Sequence, residues 1–364
     1  VVAFPEKRED AMAASTDAVS DPFVARKAGR DDVVPILDLG PYRAGVAGAA
    51  EALAEQLREA QENVGFYIIT NHGVPRERIE TTFSVAKRFH ALPLETKTAL
   101  KANEHNVGYL PMKGSTTRSS KVHVNTKPNL NEAFFVKRDL APDDPEVLAG
   151  DRYKAVNQWP DEAVLPGFRA DVVAYCDALE ALALSLLPLY ARALGLAPGW
   201  FDDAFSGRPM YTLRMTHYPP VPADAVEDNQ FAIAPHTDSG FLTLLAQSDI
   251  PGLAIRLPSG EWIEPPLIPG SFIVNTGDLA HRWTNERFLS TPHRVVHTEP
   301  RDRYAIPFFF DCNYTHVMAC IPTCTGPGNP PKYDPTTYPA YMLWFGSRNY
   351  AHIKPKDGED VAAG

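Results

Sequence analysis

The stretch PHTDSG, residues 235–240, sets an imidazole at His236 and a carboxylate at Asp238 two positions apart, just before the apolar run FLTLL. Imidazole nitrogen and carboxylate oxygen together suit a divalent first-row metal. The pattern alone is weak, because 11 histidines and 45 acidic residues in 364 positions give about one His-x-acid triplet by chance. A second triplet does occur, His297-Thr298-Glu299. The polar face of a solvated strand explains such a triplet without any metal. On a strand, residues i and i+2 share a face roughly 6.5 to 7 Å apart, so either pair can reach one cation.

A stable site needs a third ligand. Two histidines and one carboxylate on one face, with the other positions open, form the ligand set of non-haem Fe(II) centres. His293 and His297 are the candidates for the missing imidazole. On a helix their i, i+4 spacing would make them joint ligands, as in zinc metalloproteases. The segment STPHRVVHTEP is bounded by Pro292 and Pro300 and holds adjacent valines, so it reads as a strand. At about 3.3 Å per residue the two imidazoles are then roughly 13 Å apart, and only one of them can join His236 and Asp238. His316, Cys320 and Cys324 also fall at helical spacing, but Pro322 and the following TGPGNPP make a loop of that segment rather than a zinc-binding helix.

The elements that must carry these residues are legible as a change of character along the chain. Ala50, Leu53, Leu57, Ala60 and Val64 recur with helical period and Gly65 is placed to end that helix. FYIIT then reads as a buried strand, NHGV as a turn, and Pro75 as the opening of a helix with Ile79, Phe83 and Ala86 on one face. Val172, Tyr175, Leu179, Leu182 and Leu186 mark a long helix. After about Gly207 short β-rich runs recur every eight to twelve residues between prolines and glycines: MYTLRMTHY, FLTLLAQ, GLAIR, SFIVNT, HRVVHT and RYAIPFFF. That rhythm without intervening helices suits an antiparallel sandwich or barrel, and a jelly roll suits about eight strands. YMLWFGSRNY is placed to close over it as a helix. The expected class is mixed α+β. Its divisions are a mobile tail over 1–30, a mainly helical region over 31–206, a jelly-roll core over 207–330, and a C-terminal helix and tail over 331–364.

Composition narrows the function classes. The 364 residues, 44% hydrophobic, can bury a full core. The net charge of −10 and the lack of any Lys/Arg-rich run argue against nucleic acid and anionic membrane as partners, leaving a small-molecule or protein partner. The most apolar segment, Ala178 to Ala197, contains Glu180, Pro188 and Arg192 and is expected as a buried helix rather than a membrane span. Four scattered cysteines, Cys176, Cys312, Cys320 and Cys324, do not make a disulfide framework, and with no apolar leader in the first 30 residues the expected compartment is the cytoplasm. Oligomeric state is not legible.

Several segments in order resemble one family. HTDSGFLTLL, NTGDLAHRWTNERFLSTPHRVV and RYAIPFFF are similar to the core of the isopenicillin N synthase-like Fe(II)/2-oxoglutarate-dependent dioxygenases, and GFYIITNHGVP and YTLRMTHYPP are similar to their earlier segments. Together they span about residues 33 to 350. The resemblance implies a double-stranded β-helix, iron ligands at His236, Asp238 and His293, and Fe(II), 2-oxoglutarate and O2 as the reacting set. It also implies oxidation, by default hydroxylation, of a small organic substrate with release of succinate and CO2. His297 is then left to the polar-strand explanation.

The same resemblance places Arg303 on the distal carboxylate of 2-oxoglutarate, a task for which a guanidinium is suited by its two parallel charged hydrogen bonds. One departure stands beside it. The family pattern is Arg-x-Ser, whereas Arg303-Tyr304-Ala305 lacks the hydroxyl. Losing one such bond costs roughly 1.5 to 3 kcal/mol unless another donor replaces it. Tyr218, which matches a family tyrosine that reaches this carboxylate, is the expected substitute. The ethylene-forming member of the family also has Ala there, and isopenicillin N synthase keeps the Arg/Ser pair without using 2-oxoglutarate. Oxidase, desaturase, cyclase and ethylene-forming outcomes, and a catalytically silent binding module, therefore stay open.

For the prime substrate, Arg214, Phe309 and Asp311 match positions where relatives touch theirs. NVGYLPMKGSTTRSSKVHVN and NEAFFV are placed to cover the pocket mouth, and Phe134, Phe135, Phe309 and Phe310 suggest an apolar wall. Arg118, Lys121 and Arg214 can counter an acidic group. Asp278, His281 and Asn285 read as a structural strand-turn.

Overall fold

The structure is a computed structural model that describes residues 26–27, 34–122 and 124–356. The first half of the chain runs through β1 (Ile36–Asp38), α1 (Ala49–Asn63), β2 (Phe66–Thr70), α2 (Arg76–His90), β3 (Gly108–Leu110), β4 (Glu132–Val136) and α3 (Phe168–Ala193). The second half runs through β5 (Met210–Tyr218), β6 (Ile233–His236), β7 (Leu242–Ala246), β8 (Leu253–Arg256), β9 (Trp262–Glu264), β10 (Phe272–Thr276), α4 (Asp278–Trp283), β11 (His293–Val295), β12 (Arg303–Asp311) and α5 (Tyr338–Asn349). Of the segment expected as a mobile tail, only Arg26 and Lys27 lie within the described residues, where they pair in parallel with Ile263 and Glu264.

Two sheets make the β-core. The larger has eight strands in the order β1-β2-β10-β7-β12-β5-β4-β3, and the smaller has Arg26–Lys27 beside β9-β8-β11-β6. Apart from β1 with β2 and Arg26–Lys27 with β9, the pairs in these two sheets are antiparallel. The region expected to be mainly helical thus also contributes β1 to β4, so the large sheet runs across the division expected at 206.

Strand alternation decides what each sheet face carries. On β5, Tyr211, Leu213 and Met215 join the helix-side core, so Thr212, Arg214, Thr216 and Tyr218 point the other way. On β12, Ile306, Phe308 and Phe310 join the helices, leaving Arg303, Ala305, Phe309 and Asp311 on the inner face. The same parity turns Thr243 on β7 and Asn275 on β10 inward, as paired neighbours. α1, α2 and α3 cover the outer face. α3 carries Pro188 in its interior and buries the face with Val172, Tyr175, Leu179, Leu182 and Leu186, while Arg169, Asp177 and Ser185 stay exposed on the other. Between the sheets, Phe66, Ile68 and Ile273 meet Leu253, Ile255 and Ile263.

Candidate metal centre

His236 ends β6 and His293 begins β11, and the two are directly paired across these strands. Their ring centroids lie 4.2 Å apart. Asp238 departs from the expected geometry. β6 stops at His236, so the carboxylate is on the following loop rather than two residues along one strand. The loop is fastened to the start of α4, where the Asp278 N–H donates to the Asp238 carbonyl at 2.7 Å and the Leu279 N–H to the Ser239 carbonyl at 3.2 Å. Gly277 makes this approach possible. A Cβ there would sit 2.4 Å from the Gly240 carbonyl oxygen and 2.8 Å from that of Asp238.

The ligand atoms of the triad converge within 4.8 Å of one another. Asp238 Oδ1 lies 3.8 Å from His236 Nε2 and 3.5 Å from His293 Nε2. The other polar atom of each residue is already committed. His236 Nδ1 faces the Ala234 carbonyl at 2.9 Å and His293 Nδ1 the Thr291 carbonyl at 3.2 Å, which fixes the tautomer with the Nε2 lone pair toward the centre. Asp238 Oδ2 accepts from Thr243 Oγ1 at 2.6 Å and Asn275 Nδ2 at 2.7 Å, leaving Oδ1 free as a single ligand. Burial, then the neighbouring His293, push the His236 pKa down to about 3, so this imidazole is neutral. Burial alone would also lower His293, but the Asp238 carboxylate outweighs it and raises the pKa. A centre that attracts a proton between carboxylate and imidazole offers the same electrons to a cation. Three protein ligands on one side with open positions on the other fit Fe(II). Sequence reasoning missed Thr243 and Asn275; strand parity turns each inward, but only the pairing of β7 with β10 brings both to Asp238.

A second His/carboxylate cluster, His90, Glu132 and His217, lies on the helix side of the large sheet. It differs in one decisive way. Lys97 Nζ sits 3.1 and 2.9 Å from the two Glu132 oxygens, and Tyr109 and both histidines add to the same carboxylate. The ammonium already holds the place a metal would take. His297, beyond the end of β11, lines a separate cleft with Val226 and Phe231 and is outside the triad.

Arg303 is buried on the inner face, paired in register with Tyr218, its guanidinium carbon 4.9 Å from the tyrosine ring centroid. Its Nε donates to the Ile250 and Pro251 carbonyls at 3.2 and 3.1 Å, while Nη1 is buried with no partner. An orphaned guanidinium N–H in an interior calls for an acceptor, and a carboxylate satisfies it best. Ala305 leaves no hydroxyl at its own position. Thr216, directly opposite on β5 and so on the same face, has a buried hydroxyl without a partner. Residues and cosubstrate therefore fit, with Arg303, Tyr218 and Thr216 as the available donors.

Beside the triad a cavity is lined by Arg214, Phe309 and Asp311 together with His236 and Asp238, and α5 walls it with Tyr338, Met342 and Phe345. Of the expected phenylalanine wall, Phe135 and Phe309 line the cavity; Phe134 and Phe310 have the opposite strand parity and pack against the helices. Of the three expected cations, Arg214 lines it. Lys121 instead reaches Asp278 Oδ1 at 3.6 Å, and the Arg118 N–H is bound by the Asn349 side chain at 2.8 Å, pinning the covering loop to α5. Asp278 and His281 fall in α4, a short helix rather than the expected strand-turn, with Asn285 just beyond. Strand propensity yields there to the Gly277 close approach, which starts the helix against the Asp238 loop.

Comparison with known proteins matches residues 34–162 to the family described as non-haem dioxygenase in morphine synthesis N-terminal, and residues 209–311 to the 2OG-Fe(II) oxygenase superfamily. The 2-oxoglutarate-Fe(II) type oxidoreductase hxnY of Emericella nidulans is 40% identical over 310 residues, 83% of this chain and 86% of that protein. The 2-oxoglutarate-dependent dioxygenase citB of Monascus ruber is 34% identical, with 78% and 86% covered. Among solved structures, a full-length Neurospora crassa protein in complex with alpha-KG and 5-formyluracil superposes with a TM-score of 0.74 at 26% identity, covering 88% of this chain and 98% of that one. A putative 2OG-Fe(II) oxygenase family protein from Caulobacter crescentus gives 0.72 at 27%, with 85% and 97% covered. The chain belongs to the isopenicillin N synthase-like 2-oxoglutarate–Fe(II) oxygenases: it is a non-haem dioxygenase that uses Fe(II), 2-oxoglutarate and O2 to oxidise a small substrate.

Proposed function

We propose that His236, Asp238 and His293 hold the iron, that Arg303 and Tyr218 hold the distal carboxylate of 2-oxoglutarate, and that the reaction is hydroxylation of a compound bound among Arg214, Phe309 and Asp311. One observation carries the reading: three ligand atoms converge while the remaining polar atom of each residue is already hydrogen-bonded. When bound, the iron supplies O2 activation, coupled to oxidative decarboxylation of 2-oxoglutarate to succinate and CO2. The chain's own residues do the rest. The Ala234 and Thr291 carbonyls orient the imidazoles, Thr243 and Asn275 keep the carboxylate from turning, and Arg303 aligns the cosubstrate through its free Nη1. α5 walls the cavity beside the metal site with Tyr338, Met342 and Phe345.

Ala305 favours a second reading, in which 2-oxoglutarate itself is fragmented, as in ethylene formation. Both are tested by anaerobic loading with Fe(II) and 2-oxoglutarate, followed by measuring succinate formed per O2 consumed with and without added substrates. Stoichiometric succinate that rises with substrate supports hydroxylation. A chain that takes up neither 2-oxoglutarate nor a nitric oxide probe at the metal would refute the assignment.

A further inference from the structure

Arg214 is a buried cation that the protein leaves half-used. Its Nη2 donates to Asn131 Oδ1 at 2.9 Å, but Nε is buried with no partner. Asn131 is neutral and is itself tied to the Ala232 carbonyl at 2.6 Å. Among the described residues no carboxylate forms an ion pair with Arg214. Its guanidinium lies over the Phe135 ring, 5.4 Å from the centroid, and faces the cavity beside the triad. A desolvated guanidinium without a counter-ion is costly unless an anion arrives from outside.

Asp311 occupies the other end of the same cavity. Its Oδ1 accepts from the Phe241 N–H at 2.7 Å. The carboxylate packs against the loop that follows Asp238, since a Cβ on Gly240 would come within 2.8 Å of both its oxygens. The nearby Lys137 donates to Thr212 Oγ1 at 2.6 Å, and its charge also acts on the Asp311 carboxylate. The register that pairs Phe309 with Thr212 sets Arg214 and Asp311 four strand positions apart. Their backbones are therefore roughly 14 Å apart. Once the long arginine side chain is allowed for, one or two rings fill the gap between the Phe135 and Phe309 walls.

We infer that the prime substrate is a small aromatic or heteroaromatic carboxylate, its anionic group on Arg214 and an O–H or N–H donor on Asp311, held so that the ring passes the triad. This rests on the reading of the cavity as the substrate site. The guanidinium's free N–H and the aromatic wall select an acid over a neutral or cationic ring, and Asp311 next to the metal loop sets which edge of the ring faces the iron.

The test uses the full chain, anaerobic and loaded with Fe(II) and 2-oxoglutarate, with uptake of 2-oxoglutarate measured first by calorimetry. The loaded protein is then titrated with 4-hydroxybenzoate and indole-3-carboxylate, with the matched amides, and with benzylamine. We expect at least one acid to bind roughly 10- to 150-fold tighter than its amide, the range of a charge-assisted hydrogen bond. Arg214→Gln should erase that ratio and Arg214→Lys restore part of it, while both variants keep the melting temperature. An amide or amine that binds as well as the acid, an acid preference that survives Arg214→Gln, or no ring acid bound to protein that has taken up 2-oxoglutarate, each overturns the inference and leaves the oxygenase assignment standing. Failure at the first titration overturns both.

Discussion

Thr243→Val isolates the support beneath the metal centre. The substitution keeps the shape of the side chain and deletes one hydroxyl, which donates to Asp238 Oδ2 at 2.6 Å inside the protein. A hydrogen bond to a buried carboxylate is worth roughly 1.5 to 3 kcal/mol, or about 10- to 150-fold in an equilibrium constant. Asn275 Nδ2 still holds the same oxygen at 2.7 Å, so the carboxylate stays charged but can turn about its Cβ–Cγ bond. The lower half of that range is therefore expected, about 10- to 30-fold weaker metal binding, in line with outer-shell partners generally. Apoprotein titrated anaerobically with Fe(II), and with Co(II) as a spectroscopic substitute, reads this directly. Thr243→Ser should restore affinity, and the melting temperature reports whether the variant is folded. If folded Thr243→Val binds Fe(II) within twofold of the parent, Asp238 does not depend on the hydroxyl and the account of a fixed single-oxygen ligand is wrong.

Other outcomes follow from the same geometry. His297→Ala should bind Fe(II) as the parent does and His293→Ala should not; lost iron in the first variant would reverse the ligand assignment. Ala305→Ser restores a hydroxyl opposite Thr216 and should lower the 2-oxoglutarate concentration for half-maximal turnover, whereas an unchanged value would mean that Thr216 or Tyr218 already supplies the bond. Gly277→Ala forces a Cβ to 2.4 Å from the Gly240 carbonyl and should lower both melting temperature and metal affinity; an unchanged melting temperature would mean the Asp238 loop yields without cost. Burial pushes the Asp311 pKa up to about 7 from 3.8, so this carboxyl stabilises the fold fully below about pH 4 and loses that contribution as pH rises through 7. Melting curves from pH 5 to 8 should show the parent losing stability relative to Asp311→Asn, by a few kcal/mol at most; parallel curves would refute it.

Much of this protein is local enough to be read from order and spacing. Helical periodicity placed α1, α2 and α3, Pro75 and Gly65 marked their ends, and the β-rich runs after Gly207 became strands, because periodic burial on one face leaves its imprint on neighbouring positions. The resemblance of ordered segments supplied the family and proposed the ligands. Local pattern failed where distant chain comes together. Asp238 was expected on a strand with His236, but its carboxylate is set by Thr243 and Asn275 and by the contact of its loop with Gly277. No spacing rule contains those partners. Phe134 and Phe135 are adjacent and chemically alike, yet one packs on helices and the other lines the cavity, because strand parity and sheet order choose the face. Arg118, Lys121 and Arg214 are equally cationic in sequence, and only the fold leaves Arg214 buried with an unpartnered N–H beside the triad. Order and spacing were enough for the long helices and most strands after Gly207, and the resemblance of ordered segments for the family and its metal chemistry. Tertiary structure alone decided which polar atoms are left unsatisfied, since desolvation and hydrogen-bond pairing arise only when residues far apart in the chain pack together.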